Sequence, residues 1–188
     1  MKEVSVRVCF GCLLHDIGKP VQRAGGQSGD HSSLGYAYMK KLWPGGDQKI
    51  LDCVRLHHAA ALRAAPPAEN SPAWIACIAD NISAAADRRS MDTEESGFRR
   101  YLPLSPVFSH MNGEHPGKAV PPVPQTGQLR LPLENLDALS AAQYKTTVDA
   151  LALRLAEIPC TEPWLNSLLC LLEGYLSVFP SSTNTAES

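Results

Sequence analysis

Four polar signatures set into helix-patterned, largely apolar sequence constrain this chain more than any other feature: His15-Asp16, His31, His57-His58 and Asp80. Each falls inside or at the edge of a stretch with helical periodicity, where a side chain can face a cleft between helices. His15 and Asp16 are expected on one helix about 100° apart, so that their side chains can converge on one centre. An imidazole beside a carboxylate suits a divalent transition metal better than Ca²⁺ or an all-oxygen Mg²⁺ site. Asp80 makes the sharpest demand. Its helical neighbours Ala76, Cys77, Ser83, Ala84 and Asp87 are small or polar, and Ile75, Ile78 and Ile82 cover the opposite face. A carboxylate in so apolar a helix is costly unless it is paired or bound to a metal.

The first hundred residues read as helices. Val4, Val8, Gly11, Cys12 and His15 share one face and Val6, Phe10 and Leu13 the other, which predicts a helix over 3–18 buried on two sides and stopped by Gly18 and Pro20. A Gly-rich loop at 25–30 leads to a helix near 31–42, closed by Pro44-Gly45-Gly46. Asp47 caps a helix over about 48–60 that carries His57 and His58, and Ser71 caps another, with Pro72 in its first turn, running to Arg89. Seven prolines and three glycines in 101–132 predict an extended segment with room for an edge hairpin. Ser140 opens a helix of about 17 residues, and Pro163 opens another reaching Val178. The fold class expected is all-α, with 1–100 as the core that holds the motifs, 101–139 as a Pro-rich linker, 140–180 as two further helices and 181–188 as a polar tail.

Charge narrows the function. Seventeen Lys and Arg stand against nineteen Asp and Glu, a formal charge of −2, which excludes a broad basic surface for nucleic acid. The sign is uneven: 13 cationic against 11 acidic residues in 1–100 (net +2), and 4 against 8 in 101–188 (net −4). No run approaches the roughly 18 apolar residues of a membrane span, and a cytoplasmic chain with no membrane partner is expected. Six cysteines, mostly in apolar helical runs, read as reduced thiols filling the core.

Other motifs carry less. Cys9 and Cys12 have zinc or redox spacing, but no second pair follows and they sit in mid-helix. Gly45-Gly46-Asp47 has the start of a nucleotide-cyclase signature without its second Asp, and reads as a helix boundary. Arg88-Arg89 and Arg99-Arg100 can touch a phosphate backbone or lie in solvent. Tyr36, Tyr38 and Trp43 can stack on bases or fill a core.

As an ordered set, HDIGK, H-x₃-G from His31 to Gly35, the His57-His58 pair and Ala79-Asp80-x₂-Ser83 resemble the HD superfamily of metal-dependent phosphohydrolases. More narrowly, HDIGKPVQRAG, HSSLGYAY, LHH, IADNISAAADRR and LPLSPVFSHMN resemble the N-terminal part of the large subunit of type III CRISPR effector complexes, the III-A subtype in particular. That resemblance extends over nearly the whole chain, to the helix ending GYLSVFP, which in the family leads into cyclase-like palm domains. It implies a circularly permuted helical HD domain. It implies His15, Asp16, His31, His57, His58 and Asp80 as metal ligands, Asp16 bridging two ions, and Lys19 near the scissile phosphate. His15, Asp16, His57 and Asp80 are expected around one ion, with His31 and His58 at a second. The superfamily has a further His on a helix before the HD pair; here only His110 and His115 remain to supply it, both in the Pro-rich segment.

The function implied is cleavage of single-stranded DNA within a type III CRISPR ribonucleoprotein, in company with its other subunits and guide RNA. One or two ions of Mn²⁺, Ni²⁺ or Co²⁺ would serve, with Asp16, His15 and Lys19 as the catalytic residues. Two rival expectations stand beside it. One is a phosphohydrolase acting on a nucleotide or cyclic dinucleotide; the branch with that activity continues after its His pair with a Glu and a Gly-Tyr-Pro loop, where this chain has Ala59-Ala60-Ala61-Leu62-Arg63. The other is a structural docking module of the complex.

Overall fold

The computed structural model describes residues 2–26, 28–87, 101, 103, 104, 106, 111, 118–121, 132–134 and 139–180. Six helices build its first part: α1 (Glu3–Leu14), α2 (Gly18–Ala24), α3 (His31–Leu42), α4 (Gln48–Leu56), α5 (Ala59–Ala64) and α6 (Ala73–Asp87). Two two-residue strands follow, β1 (Lys118–Ala119) and β2 (Leu133–Glu134), paired antiparallel with Lys118 opposite Glu134, and a single bridge joins Leu104 to Val120. A short pairing therefore falls within and just past the segment expected to be extended, most of which lies outside the described residues. Helix α7 (Ala141–Leu155), a 3₁₀ turn at Glu162–Trp164 and α8 (Leu165–Leu176) complete the described chain. Among the described residues no helix is long and apolar enough to cross a membrane.

Local chemistry explains most boundaries. Asp30 accepts a hydrogen bond from the Ser33 amide at the start of α3, and Asp47 one from the Lys49 amide at the start of α4. Ser140 and Gln143 form a reciprocal capping box on α7. Gly45 adopts φ +82° in the turn between α3 and α4, so the Gly45-Gly46-Asp47 stretch is a helix boundary. Cys9 and Cys12 lie in mid-α1, and all six cysteines are free; Cys53 and Cys77 are buried, whereas Cys170 is exposed rather than in the core.

Two predicted helices are shorter than expected, and both end at the signatures. The first stops at Leu14 instead of residue 18, and His15 to Ile17 form a turn held by Ile17 N–H to Leu14 O and Lys19 N–H to Asp16 O. Gly18 and Pro20 do not stop a helix; they open α2, where Pro20, in the first turn, needs no amide donor. The fourth stops at Leu56, because His58 is extended at φ −89°, ψ 135°, and α5 begins after it.

One continuous core joins both parts of the chain: Val6, Phe10 and Leu14 of α1, Met39 of α3, Ile50 and Val54 of α4, Leu151 and Leu155 of α7, and Leu168 and Leu172 of α8. A smaller cluster of Cys53, Leu56, Leu62, Ala73, Ala76 and Cys77 lies between α4, α5 and α6. Two apolar faces depart from the sequence reading. Val4, in the first turn of α1, is exposed although Gly11 of the same face is buried, and on α6 the buried face is Ala73, Ala76 and Cys77. Ile75, Ile78 and Ile82 are 49, 59 and 67% exposed. Small residues let α6 lie close against α1 and α4, which turns its branched side chains to solvent.

Candidate metal centre

All the histidines and aspartates singled out within 15–80 meet at one place. The turn after α1 supplies His15 and Asp16, the first residue of α3 is His31, the break between α4 and α5 supplies His57 and His58, and mid-α6 supplies Asp80. Helix packing brings these ends together. A Cβ on Gly18 would fall 1.7 Å from the His31 carbonyl oxygen, and one on Gly35 2.9 Å from the Gly18 nitrogen. Only a glycine pair lets α2 and α3 touch backbone to backbone, and that contact sets His31 beside Asp16. The HDIG and H-x₃-G spacings contain both glycines, but their mutual contact is not legible from either motif alone.

The six residues fall into two sets. Donor atoms of His31, His57 and His58 lie within 4.8 Å of one another, as do those of His15, Asp16 and Asp80. His57 therefore groups with His31 and His58, not with His15 and Asp80 as the sequence reading had it. The break after Leu56 turns its ring toward α3. Its Nε2 is 3.2 Å from His31 Nε2, which is 2.9 Å from His58 Nε2. In the other set His15 Nε2 is 3.3 Å from Asp16 Oδ2 and 3.5 Å from Asp80 Oδ1.

Asp16 joins the sets through its two oxygens. Oδ1 faces His31 Nε2 at 3.4 Å and His57 Nε2 at 3.7 Å; Oδ2 faces His15 and accepts a hydrogen bond from Lys19 Nζ at 2.6 Å. A second, longer link runs between His58 Nδ1 and Asp80 Oδ2 at 3.8 Å.

The donor chemistry fits a divalent ion. His15 Nδ1 lies 2.7 Å from the Cys12 carbonyl oxygen and His57 Nδ1 2.9 Å from that of Val54. A ring nitrogen facing a carbonyl must carry the proton, so each Nε2 keeps its lone pair for a ligand, the arrangement typical of metal-bound imidazole. His57 is fully buried, and burial together with the charge of His58 lowers its pKa to about 4. Burial and the neighbouring His31 lower that of His58 as well. Burial pushes His15 down too, but the Asp16 carboxylate, the Cys12 carbonyl and Asp80 prevail and raise it. For Asp16, burial favours the neutral acid, and the close His15 and His31 rings with the charge of Lys19 outweigh it, so the carboxyl is held far below the usual range. Imidazoles held neutral at His57 and His58 and an obligate carboxylate at Asp16 are what a cation needs.

Among the other residues considered, Tyr38 and Trp43 serve the core: the Tyr38 hydroxyl donates to Val148 O and Trp43 Nε1 to Leu155 O. Tyr36 is half-buried, with Lys40 Nζ and Arg55 Cζ over its ring. His110, His115, Arg88-Arg89 and Arg99-Arg100 lie outside the described residues, as does the tail 181–188. Sequence reasoning missed Arg23, buried on α2 and donating from Nη2 to Pro180 O at 2.7 Å; an Arg four residues after HDIGK carries no mark of burial.

Known proteins agree with this geometry. Residues 2–85 match the HD domain family. Over 97% of its length the chain is 34% identical to the CRISPR system single-strand-specific deoxyribonuclease Cas10/Csm1 (subtype III-A) of Mycobacterium tuberculosis, and over 96% it is 30% identical to the protein of the same description from Enterococcus italicus. It spans about a quarter of the length of these curated relatives. The crystal structure of Csm1 in T. onnurineus superposes on the whole chain with a TM-score of 0.69 at 28% identity, the chain covering 26% of that protein. Csm1 in a Csm1–Csm4 subcomplex of the type III-A CRISPR-Csm interference complex gives the same TM-score at 26% identity, over 98% of this chain and 25% of that one.

Proposed function

Because residues 2–85 belong to the HD domain family and the chain is similar over nearly its whole length to part of the subtype III-A Cas10/Csm1 proteins, we propose that it hydrolyses phosphodiester bonds of single-stranded DNA at a divalent-metal centre. The observation that carries the reading is Asp16, whose two oxygens face the two donor sets separately. A carboxylate so placed could serve both sets: His31, His57 and His58 would hold one cation and His15 and Asp80 the other, with one Asp16 oxygen available to each. Mn²⁺, Ni²⁺ or Co²⁺ suits a site this rich in imidazole. When bound, such ions lower the pKa of a coordinated water and offset charge building on the phosphoryl oxygens.

The chain's own residues set the geometry. The carbonyls of Cys12 and Val54 fix the tautomers and ring planes of His15 and His57, so both offer Nε2 without searching for it. Among the described residues Lys19, now on Asp16 Oδ2, is the one cation paired with a candidate ligand; it exchanges that carboxylate for a phosphate oxygen when DNA enters. Asp16 and His15 orient the attacking water. Helices α7 and α8 belong to this domain, a reading supported by their share of its core. The setting proposed is the cytoplasm, with the other subunits and guide RNA of a type III CRISPR complex; the solved Csm1–Csm4 assemblies support the subunit part.

The experiment compares wild type with Asp16→Asn on one labelled single strand in Mn²⁺. Asn keeps size and most hydrogen bonding but loses the charge that two cations share. The expected loss is about 10³-fold in rate, about 4 kcal/mol in the barrier, with the melting temperature little changed. Equal cleavage by the two proteins assigns the activity elsewhere.

A further inference from the structure

Of the three aromatic side chains on the His31 helix and the turn after it, Tyr38 and Trp43 are tied to the backbone of α7 and Tyr36 is not. The Tyr36 ring is half-buried at the seam between α3 and α4. Lys40 Nζ stands 5.6 Å from its centroid, from the next turn of α3, and Arg55 Cζ stands 5.4 Å from it, reaching across from α4. Both cations are exposed. Among the described residues Arg7, Lys19, Lys145 and Arg154 face carboxylates; Lys40 and Arg55, like Lys41, Lys49 and Arg63, face none, and those two alone share one aromatic ring. A chain of net charge −2 has thus placed two uncompensated cations on one aromatic residue.

The position matters as much as the composition. Helix α3 begins at His31 and α4 ends just before His57, so the two run antiparallel with the metal centre at their shared end. Tyr36 is five residues along α3 from His31, about 7.5 Å of rise and about 140° round the axis, and Arg55 is two residues before His57, about 200° round α4, so the cluster lies on the outer face of the α3–α4 pair, away from the donor side chains. An aromatic face accepts any base without reading its edge, and flanking cations hold the phosphates. A paired strand offers no free base face to such a ring, whereas a single strand does.

We propose that Tyr36, Lys40 and Arg55 form a nucleotide subsite on the outer face of the α3–α4 pair, where a single strand running on from the centre lays one base on the Tyr36 ring while Lys40 and Arg55 take the phosphates on either side of it. The proposal rests on the reading of the centre as a single-strand nuclease, and the measurements separate the two. Cleavage of a labelled single strand, hydrolysis of bis(p-nitrophenyl) phosphate and binding of the strand by anisotropy at several salt concentrations are run on wild type, Tyr36→Ala, Tyr36→Phe, Lys40→Ala and Arg55→Ala. Tyr36→Ala is expected to raise KM for the strand about tenfold with kcat within about twofold, and Tyr36→Phe to stay near wild type. Lys40→Ala and Arg55→Ala should each lower the slope of log affinity against log salt by about 0.7, one phosphate contact on a single strand. The small diester touches no base or flanking phosphate, so its hydrolysis should be the same in all five proteins.

Unchanged KM and salt slope in the Ala variants overturn the subsite while the nuclease reading stands. If Tyr36→Ala loses its fold, Arg55→Ala and Lys40→Ala decide, because both side chains are on the surface. If wild type fails to cleave the strand, the nuclease reading falls, and anisotropy alone judges the subsite: weaker binding in the variants supports it and equal binding overturns it.

Discussion

His31, His57 and His58 reach the centre from the facing ends of α3 and α4, whereas His15, Asp16 and Asp80 reach it from the turn after α1 and from mid-α6. The first set is all nitrogen, and its anchor His57 is fully buried and stays neutral down to about pH 4. The second carries both carboxylates on partly exposed side chains, with Lys19 already paired to one of them. Rigidity therefore resides in one half of the centre and charge in the other. Asp16 belongs to the charged half by sequence and to both by geometry. Substitutions in the histidine half should be paid for in folding, and those in the carboxylate half in cation binding.

Separating the halves should have the largest effect. In Gly18→Ala the new methyl carbon has no room against the His31 carbonyl, which is backbone and cannot rotate away, so α2 must move off α3. The expected cost is about 3 kcal/mol, at the upper end of overpacking, and Asp16 is drawn from His31 as it is paid. Thermal unfolding with and without Mn²⁺ measures both: a lower melting temperature and a smaller shift on adding the ion. A normal melting temperature in this variant would mean that the α2–α3 contact does not hold the halves together.

Paired truncations sharpen the contrast. His57→Ala removes a fully buried ring and leaves the Val54 carbonyl without its donor, a loss of about 2 kcal/mol from cavity and orphaned acceptor together. Asp80→Ala removes a partly exposed carboxylate from a helix face already rich in alanine, and the apo protein should melt within about 0.5 kcal/mol of wild type. Each variant should bind fewer ions, as counted by metal analysis after gel filtration. Equal destabilisation by the two would erase the distinction between a structural and an electrostatic half.

Most of the site was legible in the chain and much of its internal order was not. The order HD, H, HH, A-D on helix-patterned sequence picks out the six side chains that converge, because helix ends can point several side chains into one cleft. The pairing of His57 with His31 depends on where α4 stops, a matter of one extended residue, His58, that periodicity continues straight through. The same period match carried the first helix to residue 18, although the chain turns at His15 and restarts at Gly18. Ile75, Ile78 and Ile82 look like core by hydropathy alone, yet close packing through Ala73, Ala76 and Cys77 decides which face of α6 is buried. The cost of setting Asp80 in an apolar helix, one reason for singling it out, is thereby smaller than the sequence implied, and its place 3.5 Å from His15 is the firmer ground.

The smallest effect is expected at Lys19. Its ammonium donates to Asp16 Oδ2 at 2.6 Å, the oxygen that faces His15, and so competes with a metal ion for one lone pair. Both side chains are about one-third exposed, where an ion pair is worth little, about 1 kcal/mol at most. Lys19→Met keeps the length of the stem and removes the competitor, so Mn²⁺ affinity should rise by about threefold to fivefold, the fold-change equivalent of that energy. The same change removes a cation from the path of the phosphate, so KM for a single strand should rise while kcat moves less. Opposite signs for metal and DNA are the diagnostic, read by titration against a fluorescent chelator and by steady-state cleavage. If both affinities fall together, Lys19 is a structural brace for Asp16, and the carboxylate half of the centre is as dependent on fixed packing as the histidine half.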